Sequence, residues 1–416
     1  MSLKKFSFTK YLIININIMK NILQELKKHL DKKVAINVAS KPIVFDFKSE
    51  HDQKAAEELL ASGKIQSVTD DYKEQLNELF AVKNPSIVYT PDFKKKFEDY
   101  YSALEKECPV WQSGRWVYFP WLSKLAHILE EDDFQLVRTA RNKNLINKEE
   151  QEKFYNATVG IGGLSVGNSV ALAIVLQGGA KRIKLADLDR LALSNTNRIR
   201  TGVDNLGVLK VEMTSRQIYE INPYAEVELF PEGLTKENIG RFFEGLDIVI
   251  DELDNLAVKY LIREQAKKHK IAVVMAADNG DNAVVDIERY DLDPNTPFFQ
   301  GRMGEVSYEM LFKLDKFGIG RMITKHVGPE NVTERMQQSL LEMGKTIVSW
   351  PQLGGAALIN GSAVAYCVRK ILCSQPLENN RALISLDEKL EPNYNSSEET
   401  EKRRKIAENF KKIFNL

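Results

Sequence analysis

The chain has 416 residues, long enough for two or three domains and a substantial core, and its 58 basic residues balance 58 acidic ones. That neutrality, with 43% hydrophobic and 28% charged residues, excludes a polyanionic surface and gives no electrostatic footprint for nucleic acid, so partners must be read from sites. The 3 cysteines, Cys108, Cys367 and Cys373, form no CxxC pair, which points to a reducing, cytoplasmic setting and gives no thiolate zinc site.

The opening MSLKKFSFTKYLIININI is basic and then apolar, but Lys10 interrupts it and no small-residue cleavage pattern follows. We read residues 1–18 as an N-terminal extension rather than a signal peptide, with Met19 an alternative start. No apolar run reaches the roughly 18–20 residues of a membrane helix, so a soluble protein is expected. Ile22, Leu23, Leu26 and Leu30 recur at helical spacing. From Pro42 to Phe80 a strand (IVF), a helix (AAEELLASG), a short strand (KIQSV) and another helix follow, predicting a small α/β domain over residues 19–135. Residues 111–121, WQSGRWVYFPW, hold three of the 4 tryptophans. Large aromatics dominate cores and interfaces, so this run is read as a core or domain interface, with a ligand or peptide clamp as the alternative. His127, in LSKLAHIL, reads as a satisfied histidine rather than a catalyst.

From Thr158 the pattern becomes strand, glycine turn, helix, strand, repeated. TVGI, RIKLADL, EVELF, DIVID and AVVM are strand-like, separated by helical LKVEMTSRQIYEI and LAVKYLIREQAKKH. This alternation predicts an α/β fold, a doubly wound, mostly parallel Rossmann-like sheet over residues 136–380. AVVDIERYDL is expected to add antiparallel strands, and LGGAALINGSAVAYCVRKIL a buried small-residue helix. The tail, residues 381–416, carries Ser396 and Glu399 as a capping box before an apolar stripe of Ile406, Phe410 and Ile413, predicting a docked helix.

Chemistry concentrates in VGIGGLSVG and its surroundings. Gly160, Gly162, Gly163 and Gly167 permit a tight turn whose following helix offers backbone amides and a dipole to phosphate oxygens. Ser165 stands where the GxGxxG fingerprint has its third glycine. Asp187, about 20 residues further on, suits ribose hydroxyls, with Asp189 beside it. Loop and aspartates indicate an adenosine-containing nucleotide without separating NAD from ATP. Asn195, Arg198, Lys210 and Asp254 then fall just beyond strand ends or at helix starts, where ligands bind in such sheets. Hydride transfer has no need of that set. Adenylation does, because cations must offset the triphosphate and a carboxylate must hold Mg²⁺.

With these residues in order, the sequence resembles the ThiF/MoeB/HesA-type, ubiquitin-activating-enzyme-like (E1-like) adenylyltransferases over about residues 138–372. RTARNKNL resembles the family's arginine segment, VGIGGLSVG its nucleotide loop, LADLDRLALSNTNR its ribose aspartate and Asn-x-x-Arg element, GVLKVE its lysine helix and DELDN its magnesium motif. INPYAEVE and PQLGGAALINGSAVAYCVRKIL fit as well. The resemblance implies that Gly162 and Gly163 contact phosphates, Asp187 binds ribose, Asn195, Arg198 and Lys210 engage the triphosphate, and Asp254 ligates Mg²⁺. It implies a homodimer in which Arg141 reaches the neighbouring subunit's ATP, with Arg138 assisting. The two zinc-binding CxxC pairs common in the family are absent, so no zinc is expected. DLDPNTPFFQGRMGEVSY, where some members carry a reactive cysteine, has none, so thioester transfer is not expected.

The expected function is ATP-dependent adenylation of a carboxylate, either the C-terminus of a ubiquitin-like protein or peptide or a small acid. The alternatives are a catalytically silent nucleotide-binding scaffold of the same fold and an NAD-dependent oxidoreductase.

Overall fold

Strand pairing and side-chain periodicity build two sheets in the computed structural model, which describes Gln24 and residues 39–416. The expected extension 1–18, Met19 and the apolar positions Ile22, Leu23, Leu26 and Leu30 lie outside the described residues. The first sheet draws on β1 (Ile43–Phe45), α1 (Glu50–Ala61), β2 (Ser67–Asp70), α2 (Tyr72–Lys83), α3 (Phe93–Glu107), β3 (Arg115–Phe119) and β4 (Lys124–Ile128). Its order is β1-β3-β4-β2, with β2 parallel to β4. The strand expected at KIQSV is displaced toward the C-terminus, because its ladder with β4 runs from Ser67 opposite Lys124 to Asp70 opposite His127.

The aromatic run forms the core of this sheet. Trp116, Tyr118 and Phe119 are buried on β3, Phe47 stacks on Trp116 at 5.6 Å, and Trp111 stays half exposed. His127 is buried between the rings of Tyr72 (3.9 Å) and Trp116 (4.3 Å). Its Nδ1 meets Asp70 Oδ1 at 3.0 Å and its Nε2 meets Ser113 O at 2.7 Å, so both ring nitrogens are satisfied, as expected of a core histidine.

Helix α4 (Glu131–Arg138) crosses the expected 135/136 boundary and joins the sheets. Its Gln135 Nε2 donates to Asn222 Oδ1 at 2.8 Å, and its Phe134 ring meets Tyr224 edge-on at 5.6 Å. There follow α5 (Lys148–Asn156), β5 (Thr158–Gly162), α6 (Val166–Leu176), β6 (Arg182–Ala186), α7 (Lys210–Ile221), β7 (Glu226–Phe230), α8 (Ile239–Phe243), β8 (Ile248–Asp251), α9 (Leu256–His269), β9 (Ala272–Asn279) and β10 (Asn282–Arg289). The chain closes with α10 (Tyr308–Phe312), α11 (Lys316–Val327), α12 (Glu334–Glu342), α13 (Gly354–Leu372), β11 (Asn380–Ile384), α14 (Leu386–Leu390) and α15 (Ser397–Phe414).

The second sheet has the order β11-β10-β9-β8-β5-β6-β7. Strands β9, β8, β5, β6 and β7 are parallel, β10 pairs antiparallel with β9, and β11 pairs antiparallel with β10. The expected doubly wound sheet with an antiparallel addition is therefore present. Period-two alternation explains its two cores. On β8, Ile248 and Ile250 pack with Val170, Ile218 and Val364, whereas Val249 points the other way, toward Phe242 and Ile262. Helix α6 is mostly apolar because it is covered by the sheet, α7 and α13; a Cβ at Gly361 would come within 2.8 Å of the Ser169 backbone.

The expected 380/381 boundary falls inside β11, which pairs with β10. Helix α15 starts at Ser396, whose hydroxyl accepts the Glu399 N–H, and buries Ala407 and Phe410. Phe414 completes the docked face by packing on Phe410 at 4.7 Å, while Ile413, expected there, is exposed. A spacing of four aligns Ile406, Phe410 and Phe414, and Ile413 falls to the flank. Among the described residues no helix is long and apolar enough to cross a membrane.

Candidate active site

The chain runs from β5 outward through β6 to β7, then returns to place β8 on the other side of β5. This reversal opens a crevice beyond the carboxyl ends of β5 and β8, the place where open α/β sheets take ligands. Gly162 and Asp251 are register partners at its floor. Gly160, inside β5, is a packing glycine, since a Cβ there would press on Leu246 and Phe242. Gly163 is different. Its φ of +83° is left-handed, and a Cβ would lie 2.8 Å from Leu253 N and closer still to the Glu252 carbonyl. Only glycine lets the turn approach the β8 end so closely.

Asp187 organises the turn from β6. Its Oδ2 accepts the Leu164 N–H at 2.7 Å and its Oδ1 accepts the Asp189 N–H at 2.8 Å. Burial pushes this carboxyl up from its ordinary value, and Lys210 is the largest influence pulling it back. Lys210 opens α7 with Nζ 2.7 Å from Asp189 Oδ2 and 3.8 Å from Asp187 Oδ2. A cation at a helix N-terminus opposes the helix dipole, so this placement gives the helix no benefit. Arg198 reaches the turn from the loop after β6, its Nε donating to Ser165 Oγ at 2.9 Å. Burial lowers the pKa of its guanidinium, and Asp278 opposes that.

Asp187 and Arg198 thus bond the glycine turn directly, and Asp189 and Lys210 are linked to it through Asp187. The other candidates are not joined to it by contact. Asn195 Oδ1 accepts the Ala192 N–H at 3.0 Å and shapes its own loop. Asp254 is exposed three residues beyond β8 and makes no hydrogen bond or ion pair with another described residue. Among the described residues no three His, Cys, Asp or Glu side chains cluster as a metal cage. Arg141 is exposed in a short turn (Ala140–Asn142) whose Asn142 donates to Gln177 O, at the C-terminal end of α6. Arg138 Nη1 donates to Val175 O at 2.7 Å there, a cation on the negative end of the helix. Helix α6 has 11 residues, about 16 Å at 1.5 Å per residue, so both arginines sit at the opposite end of α6 from the turn.

Several polar residues of the crevice are not legible as site residues in the sequence. Glu252 Oε1 accepts the Ala276 N–H at 2.9 Å, and burial holds its carboxyl well above the usual range. Asp278, buried at the end of β9, accepts from Gln352 Nε2 at 2.9 Å and from Asn360 Nδ2; burial raises its carboxyl too. Below the floor, Asp251 is fully buried. Burial opposes its charge, yet Lys259 (3.1 Å) and Arg263 (2.5 Å) hold its carboxyl below the ordinary value. Arg263 continues to Glu288 at 2.8 Å and stacks 4.1 Å above the Phe299 ring. These partners lie on separate strands and helices, and only the register brings them together.

With this geometry the central segment can be placed among known proteins. The ThiF family model matches residues 139–299. That match covers less than half of the chain. The matched segment holds the turn, Arg198, Lys210, Asp187 and Asp189 just beyond β6, and Asp254. Over 310 residues the chain is 33% identical to an uncharacterized protein of Mycobacterium tuberculosis (MT1398), covering 74% of this chain and 43% of that one. It is 31% identical to the tRNA threonylcarbamoyladenosine dehydratase of Bacillus subtilis, covering 37% and 64%. It is 30% identical to the sulfur carrier protein adenylyltransferase of Thermus thermophilus, covering 29% and 45%. The chain spans less than two thirds of the length of each of these relatives. Among solved structures, Escherichia coli MccB with ATP aligns at 18% identity and a TM-score of 0.44, covering 63% of this chain and 77% of that one.

Cys367 and Cys373 are buried, and burial pushes the Cys367 thiol up to about 11, so neither is poised as a nucleophile.

Proposed function

We propose that the chain uses ATP to adenylate a carboxylate. A carboxylate oxygen attacks the α-phosphorus, the bond to the bridging oxygen breaks, and acyl-AMP and pyrophosphate result. The observation that carries this reading is the gathering of two cations beside the glycine turn at the switch point, Arg198 bonded to Ser165 and Lys210 linked to the turn by way of Asp187. A leaving pyrophosphate gathers negative charge where those cations stand, and preorganised charge of that kind lowers the barrier. The ThiF-family match and the adenylyltransferase among the relatives support the same chemistry.

In this reading phosphate oxygens lie against the turn at Gly162 and Gly163 and Asp187 takes the ribose; the Gly163 N–H donates to Ala186 O at 2.8 Å, so that residue serves by close backbone approach. Asp254 suits Mg²⁺, which keeps several waters and binds one or two carboxylates together with phosphates. Bound there, the ion would offset charge on the phosphates. Arg141 lies at the far end of α6 from its own turn, so in this reading it acts on the turn of a second copy in a homodimer. The carboxylate is the end of a ubiquitin-like protein or peptide, or a small acid.

The test is exchange of labelled pyrophosphate into ATP by the full chain, run with a panel of peptides ending in Gly-Gly and of small carboxylic acids. Exchange that depends on one class of acid identifies the substrate. ATP binding without exchange for any acid supports a silent scaffold, and preferential NADH binding overturns the reading.

A further inference from the structure

Ser165 replaces the third glycine of the nucleotide fingerprint, and its hydroxyl is used in an unusual way. A serine at a helix N-cap ordinarily accepts an N–H from the first turn. Ser165 is the N-cap of α6 and makes no such bond. Its Oγ accepts Nε–H of Arg198 at 2.9 Å instead, across 33 residues of chain. The remaining bonds of Arg198 are local, Nη1 to Ser194 O at 3.2 Å and to Asn197 Oδ1 at 3.0 Å. The loop itself is clamped from the α13 side. Asn197 Nδ2 donates to Gln352 O at 2.8 Å, and Gln352 Nε2 donates to Asp278 Oδ2 at 2.9 Å. One side of the arginine is therefore held through its backbone neighbours and the other through Ser165.

We propose that Ser165 is a positioning residue for Arg198, tethering the guanidinium to the nucleotide turn. The proposal rests on the nucleotide reading given above. A glycine at 165 would leave Nε of a half-buried guanidinium without this acceptor, at the cost of an unpaired donor. The bond to Arg198 also leaves the first-turn amides of α6 without a side-chain competitor for an anion.

The experiment is calorimetric titration of MgATP into the full chain and into Ser165→Ala, Ser165→Thr, Arg198→Ala and the Ser165→Ala/Arg198→Ala double variant, with thermal melting of each. Ser165→Ala is expected to weaken MgATP about tenfold, the effect of losing one hydrogen bond to a charged group, while melting only slightly below the parent because water reaches the half-buried donor. Ser165→Thr, which keeps the hydroxyl, restores affinity to within about threefold. In the Arg198→Ala background the Ser165→Ala change adds less than about twofold, because the two residues act as a unit. Parental affinity in Ser165→Ala, or a full tenfold effect that persists without Arg198, overturns the proposal and leaves the nucleotide reading standing. A parent chain that does not bind MgATP overturns both.

Discussion

Replacing Lys210 by methionine removes a charge at nearly constant volume, and the structure sets the size of the effect. The Asp189 carboxylate at 2.7 Å is 57% exposed, so solvent screening limits that pair to at most about 1 kcal/mol. Asp187 is buried, and Lys210 is the main influence against the burial that raises its pKa. Without the lysine, Asp187 keeps its two backbone N–H bonds, from Leu164 and Asp189. Its charge is not orphaned, and the cost stays below the roughly 3–5 kcal/mol of a broken, wholly buried pair. We expect Lys210→Met to lower stability by about 2 kcal/mol, read as a shifted urea midpoint with unchanged slope. If Nζ also meets a phosphate, the variant loses a further charge-assisted bond worth about 1.5–3 kcal/mol, so the Kd for MgATP rises about 10- to 100-fold. Calorimetry at a temperature well below the unfolding transition separates the two effects. A destabilised variant whose Kd stays within about twofold refutes the phosphate role. A variant unchanged in both refutes the electrostatic account.

Gly163→Ala should destabilise by more than about 3 kcal/mol, since it adds a left-handed penalty to a collision with the β8 end. Gly207→Ala, at the same φ of +83° but with nothing within 4 Å, should cost only about 1 kcal/mol, and equal urea midpoints for the two variants would refute the close approach. Asp254→Asn, at an exposed position, should change stability by less than about 0.5 kcal/mol while abolishing pyrophosphate exchange. Mixed with Arg141→Ala, it should regain activity at about a quarter of sites if subunits exchange and the arginine acts across a twofold interface; no recovery excludes the shared site. The buried Asp286 carboxyl is desolvated, yet His326 and Arg381 hold it down to about 2 from an ordinary 3.8. A depressed carboxyl contributes stability above its unfolded pKa and loses it as pH falls. Denaturation between pH of about 4.5 and 2 should therefore show a loss of about 2 kcal/mol that Asp286→Asn no longer displays.

Much of the fold follows from local periodicity. The five parallel strands, α7, α9, α13 and the antiparallel β10 were all expected from runs that alternate at two or recur at 3.6 residues. The glycine turn and Asp187 are legible because their spacing reflects one βαβ unit. What lies beyond such units is not. The bond from Arg198 to Ser165 spans 33 residues and that from Asn360 to Asp278 spans 82, and no period links their members. Arg263 looks in sequence like the polar side of an amphipathic helix, and only the register of β8 and β10 makes it a buried partner of Asp251 and Glu288. The aromatic run shows the same limit. Composition indicates a core, but alternation along β3 and the turn before it decide that Trp116 is buried and Trp111 is not.

The pairing of Ala283 with Ile384 has a consequence for biosynthesis. During translation β10 leaves the ribosome about a hundred residues ahead of its neighbour β11, some 5–20 s at ordinary elongation rates. Through that interval one row of its amides and carbonyls stays open to foreign strands. Newly made chains should therefore depend on chaperones until the last segment emerges, and ribosome stalling between residues 290 and 380 should yield aggregates rather than a smaller folded protein.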